Sequence, residues 1–561
     1  MTSTSYARNA TPPPAVLLIA AIQQLSVSAP TLVFPLLVAE AAGLSASATV
    51  TFLDLTLIAF GIACLLQPWQ RFGIGSGFLL PACCTGAYIV PLLHAAHTGG
   101  MASVAGMTIV AGLTTIALSR CIRRLRPFLP TEIMGLVVLL LGLMIGLLGF
   151  REMTGDSAGA VVHGADITAA FITLICIVVS AVWGPARLRA AAVIFAVGIG
   201  TLTDFALRLA TDIALPHIAL DGVMLHGWPL AMPSFDAALA PGFMLGAVVS
   251  LLRATGDIVI CQRANDPNWR RVDYGTVVSG TFADGIATCL SGLIGGMPVN
   301  TASAGAGLAA ATGVLSRRVC QVTGLIWITL GLVPGGAGLI LAVPKAVLGA
   351  SLLYSGAFLV VSGMNIITAR VLDARRTLTV GGAFVVGLSH DLAPATYASL
   401  PGFAQLLLPS SLLVALIAAL VVNAIFRIGT RKSTAIVWHP RDGADALADF
   451  ITEAGGVWGA RVEPIHAADR VLREFGEAAT VLVAGDAGIE VVASFDEFTL
   501  DIRLRWAGHA LPLVRPLRME DADETLFVAQ IAAGLMQHRS DRMTRGTARD
   551  GRQELLLHFD H

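Results

Sequence analysis

From residue 15 to residue 428 the chain is a succession of apolar stretches parted by short polar connections. Each stretch runs to about twenty residues, the length a helix needs to cross the hydrocarbon of a bilayer. No water reaches that layer, so a spanning segment must satisfy its own backbone amides, which a helix does. Fourteen such stretches fall near 15–40, 48–69, 76–95, 101–119, 131–150, 166–184, 190–209, 241–262, 273–294, 298–315, 319–342, 344–366, 378–392 and 405–428. Composition agrees: 13% of residues are charged, where soluble domains carry about a quarter. The expected fold class is an all-α polytopic membrane protein of fourteen spans.

Basic residues divide unevenly between the connections. One side collects Arg8, Arg71, RCIRRLR (120–126), Arg187, Arg189, Arg263, Arg270, Arg271, Arg317, Arg318, Arg370, Arg375, Arg376, Arg427, Arg431 and Lys432, while the other keeps Arg151, Arg208 and Lys345. By the positive-inside rule the first side is cytoplasmic, and an even number of spans puts both termini there, in a bacterial-type inner (plasma) membrane. The tail, 1–14, has no signal-peptide core and cleavage site, so the first span is expected to remain. The eight cysteines show no metal-ligand spacing and read as small buried hydrophobes, with no metal or other cofactor expected.

The chain also repeats itself. Pro130, Gly135 and Gly142 open span 5 at the same spacing as Pro344, Gly349 and Gly356 open span 12. The copies lie seven spans apart, and an odd number inverts the second relative to the first, so a seven-plus-seven inverted repeat is expected. Span 3 opens with GIGSGFLLPACCTGAYIVP (73–91) and span 10 with GGMPVNTASAGAG (295–307), again seven spans apart. Both are short and broken by Gly and Pro. Paired interrupted spans mark the midplane solute site of transporters, where non-helical backbone lines a cavity and helix N-termini face the solute.

One arginine stands out. Arg253 lies near the middle of span 8, where a guanidinium costs roughly 2.5–3.5 kcal/mol on insertion scales. Asp257 follows at i+4 and projects from the same face. The two either form a buried structural ion pair or line a solute site. Asp284 on span 9 could accept a coupling proton or pair within the core. Asp54, and Asp204 with Arg208, lie nearer span ends and read as structural pairs. Glu132 reads as a surface partner of the arginine-rich loop, His390–Asp391 as an outer-loop feature, and Cys83–Cys84 as packing residues. A channel would need a continuous polar lining and an enzyme a nucleophile, metal cluster or cofactor motif; neither is visible, which leaves a secondary transporter.

The runs GDIVIC (256–261), FADGIATCLSGLIGG (282–296) and AGLAAATGVLSRRV (306–319), with AIQQL (21–25) and LPTEIMGLVVLLLG (129–142) in order, resemble the nucleobase–cation symporter type 2 family, the nucleobase–ascorbate transporters or xanthine/uracil permeases. The resemblance covers about residues 15–430. It implies a core domain (15–119 and 241–342) moving against a gate domain (131–209 and 344–428), a small-molecule solute held between short strands of spans 3 and 10, proton or sodium symport, and commonly a homodimer. Carried over by position, it implies solute contacts at Gln24, Gly86, Arg253, Asp257, Ala302, Ser303, Ala304 and Gly305, and ion coupling at Asp257 and Asp284.

The sequence departs from the family where the base is read. Arg253 stands where the family carries a glutamate, Ala304–Gly307 replaces its Gln/Glu-Asn-x-Gly signature, Gly86 and Ala302 replace aromatics, and Gln23–Gln24 replaces a Gln-His pair. Small residues make room, and the central charge changes sign. A guanidinium suits a carboxylate, sulfonate or enolate-like oxygen pair. An organic anion or anionic purine is expected, with two alternatives kept: a neutral solute beside a neutralised Arg253, and a sulfate-permease-like anion carrier or exchanger.

Residues 433–561 are expected to form a soluble cytoplasmic α/β domain, large enough for its own core. Helices are expected over 444–456, 467–485 and 522–539, paired strands over 490–508 and a closing strand over 552–561. Nothing in it binds nucleotide by motif, and no nucleic-acid partner is expected of the chain.

Overall fold

The computed structural model describes residues 6–125, 131–155, 164–185, 192–211, 231–266, 269, 272–333, 336–338, 342–368, 372–408, 410–426, 431–460, 462–483, 487–496, 499–512, 524–548 and 550–560. Arg126, Arg187, Arg189, Arg270, Arg271, Arg370 and Arg427, used above for orientation, lie outside the described residues. The chain divides into two compact units, Met1–Asn423 and Ala424–His561.

The first unit is helical. α1 (Pro14–Ser28) passes through a short 3-10 turn at Ala29–Leu32 into α2 (Val33–Ala41). The turn falls on Pro30, which has no amide to offer the helical ladder. α3 (Ala46–Leu66) follows, capped by the Ser45 hydroxyl. An extended approach then leads to strand β1 (Ala82–Cys84), a 3-10 turn (Gly86–Tyr88) and α4 (Ile89–Leu125). At Gly100, φ is 62° and ψ −157°, a conformation open to glycine, so α4 is two helices joined at a kink, matching spans 3 and 4.

The chain continues through α5 (Thr131–Thr154), α6 (Gly164–Val182), α7 (Ala192–Ala210), α8 (Ala240–Asn265) and α9 (Tyr274–Ile294). Strand β2 (Val299–Thr301), α10 (Ser303–Thr312), α11 (Arg317–Leu332), α12 (Lys345–Ile367) and α13 (Ala374–Leu392) come next. Two short helices, α14 (Pro394–Ala398) and α15 (Gly402–Leu407), precede α16 (Ser411–Phe426). The sequence reading missed both; α14 starts at Pro394, whose fixed φ suits a first helical position, and α15 starts directly after Pro401. Among the described residues eight helical segments are long and apolar enough to cross a membrane.

Helices meet on glycine. An ideal Cβ built on Gly135, Gly142 or Gly149 of α5 would lie 2.9, 2.8 or 2.6 Å from the carbonyl oxygen of Gly363, Gly356 or Gly349 on α12. Numbers rise along α5 as they fall along α12, so the helices are antiparallel and the glycines of the two repeat copies face one another. Gly112 of α4 meets Gly285 of α9 in the same way, at 2.8 Å, and Gly61 of α3 meets Gly324 of α11 at 2.6 Å. Hydrocarbon gives apolar side chains no reason to leave it, so close backbone packing of this kind is what holds membrane helices together.

The second unit is a two-layer α/β fold. β3 (Lys432–Trp438), α17 (Gly443–Trp458), α18 (Val462–Leu482), β4 (Ile489–Phe495), β5 (Thr499–Trp506), α19 (Glu524–Arg539), β6 (Arg542–Thr547) and β7 (Gln553–Asp560) form an antiparallel sheet in the order β3-β4-β5-β7-β6 with three helices. Alternate strand residues (Val491, Ile502, Leu504, Leu557) join Ile451, Phe475 and Ala533 of the helices in one core. The other sheet face carries an ion pair, Arg505 Nε to Glu554 at 2.8 Å, and a contact of His558 Nδ1 with Asp501 at 2.6 Å. The expected helices and inner strands are present. β3 and β6, not foreseen, are the two edges, where charged and polar residues blunt the alternation that identifies inner strands.

Candidate functional site

The two broken spans meet. β1 and β2 pair antiparallel, Ala82 opposite Thr301, Cys83 opposite Asn300 and Cys84 opposite Val299. The Ala302 amide extends the pairing by donating to Pro81 O at 2.8 Å. Two helix starts flank the crossing. Thr85 is extended and its hydroxyl accepts the Ala87 amide, opening the turn into α4; α10 starts at Ser303 with no side-chain cap on its N-terminus. Uncapped amides and the positive end of the helix dipole lie at the α10 start. Gly305 is glycine for a steric reason: a Cβ there would run into Pro81 and lie 2.7 Å from Gln24 Oε1.

Arg253 of α8 reaches into this crossing and is 6% exposed. Its Nε donates to Ser303 Oγ at 3.1 Å, Nη1 to Thr85 Oγ1 at 3.3 Å, and Nη2 to Cys83 Sγ at 3.4 Å. One side chain thereby touches the start of α10, the residue that caps the turn into α4, and β1 itself. A guanidinium has five N–H groups, and these contacts use three. Asp257, one turn on, accepts from Thr301 Oγ1 at 2.6 Å. Among the described residues no ion pair joins Arg253 to Asp257, so the structural pair entertained above is not formed.

Of the residues singled out, Arg253, Asp257, Ala302, Ser303, Gly305 and Gln24 come together here. Gln24 Nε2 donates to Gly305 O at 3.3 Å, and its Oε1 has no partner although buried. Ala304 is exposed and Ser303 half-buried. Gly86, at the start of α4, is nearest Ile145 and Leu141 of α5, 3.5 and 3.8 Å from its ideal Cβ. Asp284 stands outside the crossing. Its Oδ1 accepts from Gln67 Nε2 at 2.6 Å, Gln67 also holds Gly280 O and Ser76 Oγ, and Asp284 Oδ2 lacks a partner.

The cysteines do more than pack. Cys64 Sγ accepts the Ala82 amide at 3.2 Å, and the thiols of Cys320, Cys261 and Cys83 donate to Leu80 O at 3.2 Å, Leu79 O at 3.6 Å and Thr301 O at 3.3 Å. Buried non-helical backbone needs such partners, and a thiol supplies a weak one in little space. Composition alone classed these residues as hydrophobes; their clustering around residues 79–84 has no sequence signature. Asn300, whose Nδ2 donates to Ser250 O at 3.0 Å, Thr85, Thr301 and Gln67 were also missed.

Other intramembrane charges are structural. Arg208 pairs with Asp204 at 2.8 Å, as expected, and with Asp166. Glu132 is not at the surface: it is buried, with Arg376 Nε of α13 at 3.2 Å. Asp54 is buried and takes a backbone hydrogen bond from Ala337 rather than pairing with a cation, its Oδ1 left without a partner. His390 and Asp391 contact each other at 3.1 Å at the end of α13.

A polytopic helical unit whose polar groups converge on two interrupted spans has the form of a permease rather than of an enzyme. The sequence profile of the xanthine/uracil permeases, described as a permease family, matches residues 15–396, and the chain belongs to this nucleobase–cation symporter family. The xanthine permease of Bacillus subtilis (strain 168) is 25% identical over 408 residues, 72% of this chain and 92% of that protein. The uric acid permease PucK of the same bacterium is 25% identical over 414 residues, 72% of this chain and 93% of that protein. Murine Solute Carrier 26 family member A9, an anion transporter in the inward-facing state, superimposes with a TM-score of 0.50 and 13% identity over 76% of this chain and 70% of its own. That likeness concerns the fold alone.

Proposed function

We propose that the chain is a secondary active transporter of a small nucleobase-like solute that carries negative charge, with Arg253 as its anchor. The observation that carries this reading is the buried guanidinium at the β1–β2 crossing, unpaired with Asp257 and with two N–H groups left for a ligand. A planar fork of donors beside an uncapped helix start favours two adjacent anionic oxygens. Ala302 and Ala304 are small, Ala304 is exposed, and Gln24 Oε1 offers an acceptor for a ring N–H. Relatives named for xanthine and uric acid fit a purine-sized ring.

The transport domain is read as fourteen spans in a seven-plus-seven inverted repeat with cytoplasmic termini in a bacterial-type inner membrane, 15–119 and 241–342 forming the core and 131–209 and 344–428 the gate. The contacts support it. Exchanging each span with the one seven away turns the α3–α11 pair into the α9–α4 pair, and both cross on facing glycines. The α5–α12 and β1–β2 pairs map onto themselves. Core moving against gate past Gly86 gives alternating access, driven by proton or sodium symport through Asp284 and Asp257, in a homodimer.

A thermal-shift screen of the purified chain against uric acid, xanthine, uracil and simple organic anions tests the reading, since a ligand stabilises the state it binds. Stabilisation is expected from uric acid, an anion at neutral pH, above uracil. Stabilisation by sulfate or bicarbonate with none by any purine would replace the proposal with an inorganic-anion carrier.

A further inference from the structure

The described part of the tail ahead of α1 is not a loose end. After Tyr6 the chain turns at Arg8 and Asn9, the Ala10 amide donating to Ala7 O at 2.9 Å, with Tyr6, Arg8 and Ala10 half-buried and Ala7 and Asn9 exposed. Tyr6 forms a parallel bridge with Val314: its amide donates to Gly313 O at 3.0 Å and its carbonyl accepts from Leu315 at 2.8 Å. The Arg317 amide donates to Arg8 O at 3.0 Å and Ser316 Oγ to Ala10 O at 2.6 Å. The tail thus covers the whole turn between α10 and α11.

Arg8 reaches the other way. Its Nε donates to Gly77 O at 2.7 Å, Nη2 bonds Gln70 Oε1, and its guanidinium lies 4.7 Å over the Phe78 ring. Gly77, at φ 77°, holds a backbone conformation that favours glycine, and its missing Cβ leaves room for that guanidinium. Gly77 begins the extended approach to β1, and Gly313 ends the α10 that β2 feeds. The tail therefore closes a ring: Arg8, the 77–81 approach, β1, β2, α10, the 313–317 turn, and back to Tyr6.

We infer that Arg8 is a positioning residue for the solute site and that residues 6–10 are a strap belonging to the transport core. With the strap in place, β1 and the start of α10 are held from both ends, so Cys83, Thr85 and Ser303 stay within reach of Arg253. Among the described residues no hydrogen bond joins the strap to α5 or α12, so it does not have to open when core moves against gate.

The inference rests on the solute lying at the β1–β2 crossing, so its test has one arm that uses no solute. Hydrogen–deuterium exchange on the full chain in nanodiscs compares the native protein with Arg8→Ala, Arg8→Lys and, as a control at an exposed position, Asn9→Ala. Arg8→Ala is expected to speed exchange of the Ala82, Cys84 and Ala302 amides about tenfold while α5 is unchanged. Arg8→Lys falls between, because a single ammonium can replace one bond of the fork; it also carries the test if the alanine variant does not fold. Faster exchange confined to residues 6–10 and 313–317, or spread equally to α5, overturns the inference. In the second arm, uric acid uptake by proteoliposomes should show a several-fold higher half-saturation at unchanged maximal rate. No uptake by the native chain would fail the proposed solute and leave the exchange result standing.

Discussion

Arg253 and Asp257 stand one helical turn apart on the same face of α8, and each side chain is engaged elsewhere. The arginine holds Ser303, Thr85 and Cys83, and the aspartate takes the Thr301 hydroxyl at 2.6 Å. The two charges therefore share Ser303 and otherwise serve different partners on the same crossing: Arg253 reaches Thr85 and Cys83, and Asp257 the end of β2.

A charge swap separates this arrangement from a structural pair. Losing one partner of a true buried pair costs about 3–5 kcal/mol, and exchanging both restores it. Here Arg253→Asp combined with Asp257→Arg should not recover uptake, because neither new side chain meets the donors and acceptors its position requires. Recovery of transport in the double variant would reinstate the pair.

Orientation is open to labelling. A cysteine in place of Arg151, at the end of α5, should react with a membrane-impermeant maleimide added to intact cells. One in place of Ala374, at the start of α13, should react after the membrane is opened. The reverse pattern would invert the topology.

The glycine crossing sets how closely α5 and α12 approach. Gly142→Leu or Gly356→Leu must push the helices apart, since even a Cβ at Gly142 lies 2.8 Å from the facing carbonyl. Overpacking costs about 1–3 kcal/mol, read as a lower melting temperature and loss of uptake. Gly381→Ala on α13, where a Cβ meets nothing within 4 Å, is the neutral comparison.

Asp284 tests coupling. Held on one oxygen by Gln67 and unpartnered on the other, it is a buried carboxyl with an oxygen left to take a proton. Asp284→Asn keeps the shape and the Gln67 contact but cannot change charge. Uphill accumulation should vanish while counterflow of labelled solute across proteoliposomes persists. Undiminished proton-driven uptake would remove Asp284 from the mechanism.

Much of this was legible in the sequence because the bilayer enforces simple patterns. The spans show as apolar runs, and the broken ones as Gly–Pro interruptions at 73–91 and 295–307 whose strands pair in the fold. The i+4 spacing of Arg253 and Asp257 put both on one face, yet spacing fixed neither partner. What stayed hidden depends on contacts between distant segments. Cys320 on Leu80, Gln67 on Asp284, Arg376 on buried Glu132 and Arg8 on Gly77 leave no periodic trace. Arg8 counted as one more cytoplasmic charge, and its second use emerged from the turn it covers. The edge strands β3 and β6 escaped because an edge is kept polar to avoid pairing with another chain.

The central claim is that Arg253 binds a negatively charged solute, and equilibrium binding of uric acid to purified Arg253→Gln and Arg253→Lys variants tests it most directly. The account predicts that Gln, which keeps hydrogen bonds but no charge, abolishes measurable binding, and that Lys, which keeps charge but no fork, weakens it about ten- to a hundredfold, as expected for loss of about 1.5–3 kcal/mol of charge-assisted bonding. Both variants should melt as cooperatively as the native chain. Native-like affinity for uric acid in a folded Arg253→Gln variant would contradict the account.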